Sequence, residues 1–433
     1  MKIQLSDHFT YKMLLRFVLP SIIMMVFTSI YGVVDGLFVS NFVGKTPFAA
    51  VNLVMPFIMV FGGIGFMFGT GGSALVAKTM GEGDKRRANQ YFTMMMVSTL
   101  ICGVIISVLG VVFMEPISVF LGADAEMLPD CVLYGRIVLA FNTAYMLQNV
   151  FQSFLIAAEK PKLGLWVTVA AGVTNMALDA LFMAVFHWGV AGAAVATLIS
   201  QVLSGFLCLG YVLFRVPALT PSQHDLHPDR ALFRRIFSVS AMTSIQQSIM
   251  NFGILCVQSL VNSFGLAAMA AFTAGVKIDS LAYSPAQDFG NGFATFVAQN
   301  QGANQPQRLR HGIRTAFLLS GGFCLIVSAL VAIFAEPLLL VFLENASAES
   351  LSIGVTYLRT EGLCYIGIGF LFLLYAIFRG LEQAGMSIVL TVLSLGLRVV
   401  LSYAFAPHFG MMAIWLAIPA GWLIADIVGF VAM

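Results

Sequence analysis

From Thr46 to Ala77 the chain runs for 32 residues without a charged side chain, and uncharged or nearly uncharged runs of comparable size recur along its whole length. About 20 apolar residues carry a helix across a bilayer. Inside the hydrocarbon only helices and closed barrels satisfy their own backbone groups. The runs predict twelve membrane-spanning helices, at 14–38, 46–77, 91–114, 128–156, 163–186, 190–213, 235–262, 268–298, 314–335, 351–377, 387–406 and 410–431. Composition agrees: 59% of the 433 residues are apolar and 10% are charged, against about 25% charged in a soluble domain. A water-soluble surface and a disordered chain are both excluded. The short loops leave no room for a separate soluble domain. Met1–Arg16 is mixed in polarity and has no small-residue cleavage pattern, so no removable signal peptide is expected.

The net charge of +2 hides a steep asymmetry. With the N-terminus in the cytoplasm, the cytoplasmic segments hold 17 of the 22 basic residues, among them Lys85, Arg86, Arg87, Arg308 and Arg310. The opposite loops hold only Lys45, together with acids such as Glu115, Asp124, Glu126, Glu336 and Glu349. By the positive-inside rule, this predicts a multi-pass protein of the cell membrane with both termini cytoplasmic. The six cysteines are scattered through apolar runs without metal-ligand spacing and read as small buried hydrophobes. Nothing in the charge pattern calls for a nucleic-acid partner.

A shift of 221 residues brings the two halves into register. Asn41-Phe42-Val43-Gly44 falls on Asn262-Ser263-Phe264-Gly265, and Glu115-Pro116 on Glu336-Pro337. Phe68, Gly69, Gly71, Gly81 and Arg87 meet Phe289, Gly290, Gly292, Gly302 and Arg308, and Gly189 meets Gly410. A two-residue slip, to 223, aligns Tyr134 and Arg136 with Tyr357 and Arg359. Six spans per half give both halves the same orientation, a parallel repeat of the kind found in transporters whose lobes rock about a shared site. The predicted organisation is an N-terminal six-helix lobe (1–214), a proline-containing cytoplasmic tether (215–234) and a C-terminal six-helix lobe (235–433).

Ionisable residues within spans are costly and need a reason. Arg136, Arg359 and Glu361 fall near outer helix ends, and Asp426 lies near the end of the last span. Lys277 and Asp279, two apart, point to different sides of one helix; Lys277 is open to a structural pairing or a cavity role. Asp35 lies in the first span, fifteen residues after Pro20, which weakens the helix by removing a backbone donor. In the fifth span Asn175 and Asp179 share a helix face, and Thr197 lies at comparable depth in the sixth. Two carboxylates, an amide and a hydroxyl suit a hard cation such as Na⁺, held by Asp35 and Asp179, or a proton on a desolvated carboxylate. Separately satisfied structural polar groups are the plainer alternative. Against it, the second half carries Cys256, Ser402 and Ile418 where the first has Asp35, Asp179 and Thr197, so the scaffold does not need the acids. Gly69-Thr70-Gly71-Gly72 has the look of a dinucleotide loop but lies inside an apolar span, where close helix packing explains it. No catalytic triad, metalloprotease motif or phosphate loop occurs in a usable context, so no enzyme and no bound cofactor are expected.

Pro20 with Val34-Asp35-Gly36 and Asn41-Phe42-Val43-Gly44, Gly81 with Arg87, and the Asn175/Asp179 pair with Thr197 resemble the multidrug and toxic compound extrusion (MATE) transporters along essentially the whole chain. The resemblance implies an all-α membrane protein of twelve helices in two pseudo-symmetric lobes. It implies export of cationic or amphipathic compounds in exchange for inward H⁺ or Na⁺. It places the ion site of the N-terminal-lobe branch on Asp35, Asn175, Asp179 and Thr197, with bending of the first helix at Pro20. The other branch uses acids in the seventh and tenth spans; here the seventh has only Gln246, Gln247 and Asn251, and the tenth has Glu361 near its outer end and no acid deeper. Candidate substrate contacts are Tyr31, Asn142, Tyr145, Gln148, Asn149 and Lys277. The expected partners are small amphipathic molecules and the bilayer, and the expected state is a monomer. A flippase of lipid-linked saccharides with the same fold is the alternative, and a membrane-embedded enzyme a more distant one.

Overall fold

The computed structural model describes residues 19–20, 23–24, 27–28, 30, 34–35, 38–157, 161–215, 230–343 and 347–433. Tyr31 and residues 216–229 of the tether lie outside them. The described chain is almost entirely helical. The first half contains α1 (Lys45–Gly81), α2 (Lys85–Phe120), α3 (Leu128–Ala140), α4 (Asn142–Ala157), α5 (Pro161–Asp179) and α6 (Gly189–Arg215). The second contains α7 (Arg230–Asn262), α8 (Leu266–Gly302), α9 (Pro306–Ile333), α10 (Ala335–Phe342), α11 (Ala348–Gly362), α12 (Tyr365–Gly380), α13 (Ala384–Phe409) and α14 (Met411–Ala432). Arg230–Arg234, read from sequence as part of the tether, form the start of α7.

The repeat is visible in the backbone. Helices α1 and α8 are both 37 residues long and begin at Lys45 and Leu266, which are 221 positions apart. The glycines that open them, Gly44 and Gly265, have φ of 125° and 106°. Gly83 and Asn304 match at 84° and 51°, Gly189 and Gly410 at 61° and 64°. Left-handed conformations cost an L-residue with a Cβ, so these positions hold glycine, or asparagine at the one site where a short polar side chain tolerates it.

Seven helices among the described residues are long and apolar enough to cross a membrane, and α11 with α12, bent by 51°, add an eighth. The more polar α7 and α8 and the broken pair α3 and α4 fall where further spans are predicted from sequence, and the predicted first span, 14–38, is described only in part. Both breaks fall at matching places: Phe141 interrupts the fourth span, and Leu363-Cys364 the tenth.

The chain divides into two compact units, Leu19–Ser240 and Ala241–Met433. In the first, α1 packs along α4 on a glycine face. A Cβ on Gly65 would meet the Met146 Cα at 2.5 Å, and one on Gly69 the Ser153 Oγ at 2.7 Å. The glycine-rich stretch is therefore a helix-packing surface, as its place in an apolar run required. In the second unit α8 meets α12 in the same way, with Gly290 against the Phe372 carbonyl. The core there centres on Phe272, Tyr357 and Trp415, whose rings stack or meet edge-on 4.8–5.6 Å apart.

Candidate functional site

Within the first unit, the helical turns that follow the two acids are widened. Asp179 ends α5 and is followed by a π-helical turn at Ala180–Val185; four residues after Asp35 a second π-turn runs over Val39–Val43. The two turns touch each other. An extra residue in a helical turn breaks the regular backbone ladder and occurs often at functional sites. The matching ends of α7 and α13 carry no such turn.

Asp179 is fully buried, and Asp35 is half-buried. The two carboxyls lie within hydrogen-bonding reach of each other. Neither oxygen of Asp179, nor Oδ1 of Asp35, receives a hydrogen bond from an N–H or O–H of the described protein. A hydrogen bond between two carboxyls requires a proton on one of them, and buried anionic oxygens without donors are costly. The pair is thus built to take up a proton or a hard cation from outside its own side chains. Asn175, one turn before Asp179, is 3% exposed, and its Nδ2 also lacks a partner among the described residues. Tyr134 is close enough to feel both acids, although its hydroxyl is directed at the Met55 sulfur, 3.9 Å away.

The remaining residues singled out from sequence fall elsewhere. Thr197 is half-buried on α6, which packs on α5, and its hydroxyl reaches neither acid. Pro20 is buried at a helical position. Asn142, at the break between α3 and α4, is 1% exposed with both amide atoms unpartnered among the described residues, and Gln148 Oε1 is likewise buried without a donor. Tyr145 lies over Gly62, and Asn149 donates to the Gly62 carbonyl at 3.5 Å, so both engage α1. Lys277 belongs to the second unit and is exposed, whereas Asp279 is 1% exposed, on the other side of α8.

A second cluster escaped the sequence reading. Asp279 accepts hydrogen bonds from both the Tyr357 hydroxyl, at 2.5 Å, and the Tyr365 hydroxyl. Glu361 and Arg398 lie beside it, 3% and 8% exposed. Glu361, expected near an outer helix end, is buried within the unit. The tenth span breaks immediately after Gly362, which leaves Glu361 on the last turn of α11 inside the unit. Asp426, expected near a helix terminus, is also buried, at 6% exposure. Arg136 and Arg359 do find partners at the periphery: their Nε atoms donate to the carbonyls of Val111 and Ala332. The usable signal was register, because Tyr357 aligns with Tyr134 and Tyr365 with Asn142 at the slipped offset of 223.

A duplicated bundle of twelve membrane-spanning helices, with ionisable groups buried in each half, is the architecture of a membrane transporter rather than of an enzyme. A sequence model of the MatE family matches residues 20–181 and 241–404, once in each half, and the chain belongs to this family. It is 24% identical over 425 residues to the probable multidrug resistance protein YoeA of Bacillus subtilis, covering 94% of this chain and 90% of that one. It is 22% identical over 362 residues to the multidrug export protein MepA of Staphylococcus haemolyticus, covering 84% and 80%. Among solved structures, a MOP superfamily transporter from Pyrococcus furiosus superposes with a TM-score of 0.92 at 25% identity, over 100% of this chain and 96% of that one. An outward-facing multidrug resistance MATE family transporter gives the same score, identity and coverage.

Proposed function

We propose that the chain exports cationic or amphipathic organic compounds in exchange for inward H⁺ or Na⁺, by alternating access across the cell membrane. In this reading both termini are cytoplasmic, no cofactor is needed, and the protein works as a monomer. The observation that carries it is the Asp35–Asp179 pair: two carboxyls facing each other at the site where a donor is missing. Asn175 supplies a neighbouring amide. This arrangement corresponds to the branch of the family with its ion site in the N-terminal lobe. Two multidrug-export relatives aligned over most of the chain support the substrate class. Coupling follows if ion and substrate favour different states of the protein, because each then changes the affinity for the other.

The test is efflux of a cationic dye from proteoliposomes under an imposed pH gradient and, separately, an imposed Na⁺ gradient. One of the two gradients should drive export by the parent chain. Asp35→Asn should reduce driven export to the level of empty vesicles while leaving the protein monodisperse. Undiminished driven export in that variant would refute the proposed site.

A further inference from the structure

A cavity of about 250 Å³ lies wholly within the second unit, slightly below the roughly 300–1,000 Å³ of ordinary small-molecule pockets. Its walls include Asp279, Glu361 and Arg398, with the rings of Tyr283, Phe372 and Trp422 around them. The three charged groups are not equally satisfied. Each oxygen of Asp279 accepts a tyrosine hydroxyl, so this carboxyl has its donors. Glu361 Oε2 and Arg398 Nε are both buried and have no hydrogen-bond partner among the described residues. Arg398 is close enough to Glu361 to act on it electrostatically, yet that does not supply either group with its missing hydrogen bond. One unmet acceptor and one unmet donor of opposite charge therefore belong to residues that line the same cavity. Buried charges are tolerated when their hydrogen-bonding capacity is met.

We propose that this cavity binds a compact zwitterion, a molecule bearing an ammonium and a carboxylate on a small apolar body. Glu361 receives the ammonium, Arg398 donates to the carboxylate, and the rings of Tyr283, Phe372 and Trp422 enclose the body. A purely cationic ligand leaves Arg398 unmet, and a purely anionic one leaves Glu361 unmet. Position in the repeat supports a built site: at the offset of 223, Arg398 stands where the first unit has Asn175, and Tyr357 where it has Tyr134. The proposal is independent of the ion-coupling reading, because it concerns equilibrium binding in the absence of any gradient.

The experiment is calorimetric titration of the full-length protein in nanodiscs with para-(aminomethyl)benzoate, and with benzylamine and benzoate as single-charge analogues. The zwitterion should bind roughly ten- to hundredfold more tightly than either analogue, as expected for one additional charge-assisted hydrogen bond. Trp422→Phe should remove most of the tryptophan quenching that the zwitterion causes. Arg398→Gln should bring the zwitterion's affinity down to that of benzylamine. Comparable affinities for the three probes in the parent chain would overturn the proposal, and this comparison needs no variant to fold. Quenching unchanged in Trp422→Phe would equally overturn it, by placing the probe elsewhere.

Discussion

At matching places of the repeat the two units bury polar clusters of different composition. Tyr134, Asn142, Asn175 and Asp179 of the first unit correspond to Tyr357, Tyr365, Arg398 and Ser402 of the second. In the first, two carboxyls face each other with no cationic side chain beside them among the described residues, and the helices that carry them widen into π-turns. In the second, the acids are Asp279 and Glu361, two tyrosines serve one of them, and Arg398 supplies a fixed positive charge. Duplication has thus kept the buried polar position and changed what it lacks. The first cluster lacks a cation or proton; the second already contains its own cation and lacks one partner of each sign.

The two units differ most in their contribution to transport. Asp179→Asn should abolish gradient-driven export, whereas Ser402→Ala, at the corresponding position, should leave its rate within about twofold, because a lone hydroxyl is a minor loss. Export assays in proteoliposomes on both variants decide the matter. Packing comes next. Gly65→Val forces a side chain into the Met146 backbone and should cost about 3 kcal/mol. Its counterpart Ala286 already accommodates a Cβ, so Ala286→Gly should cost only about 1 kcal/mol, chiefly in helix propensity. Thermal unfolding in detergent separates these.

Hydrogen bonding gives a smaller contrast. Tyr357→Phe removes a donor from Asp279 and should destabilise by about 1.5–3 kcal/mol. Tyr134→Phe loses only a contact to sulfur and should stay within about 0.5 kcal/mol. Equal losses at the two tyrosines would mean that the clusters are more alike than their side chains indicate. Smallest of all, Arg136→Gln and Arg359→Gln should each cost about 0.5–1 kcal/mol, and by equal amounts, since both donate to a carbonyl at the matching position.

The fold was legible because the bilayer imposes one rule on every span, and because a duplicated sequence repeats its glycines. Gly44 and Gly265, or Gly189 and Gly410, could be paired by offset before their shared left-handed backbones were visible. The acids of the first unit were legible for a related reason: Asn175 and Asp179 share a helix face, and the second half lacks their equivalents. The second cluster was not. Asp279, Glu361 and Arg398 come from α8, α11 and α13, and no spacing along one helix brings them together. Glu361 was misplaced because position along a span does not say which side of the helix is buried: Glu361 is 3% exposed, whereas Arg359, two residues earlier on the same helix, is exposed. The π-turns were equally hidden, since apolar runs such as Ala180–Val185 read the same in either helical register.

The most direct test of the central claim, that the first unit carries the coupling site, is ion movement itself. Proteoliposomes loaded with a cationic dye are allowed to export it with no imposed gradient, while proton and sodium entry are followed. Export by the parent chain and by Ser402→Ala should draw one of the two ions inward, and Asp179→Asn should draw neither. Ion entry coupled to export in Asp179→Asn would contradict the account.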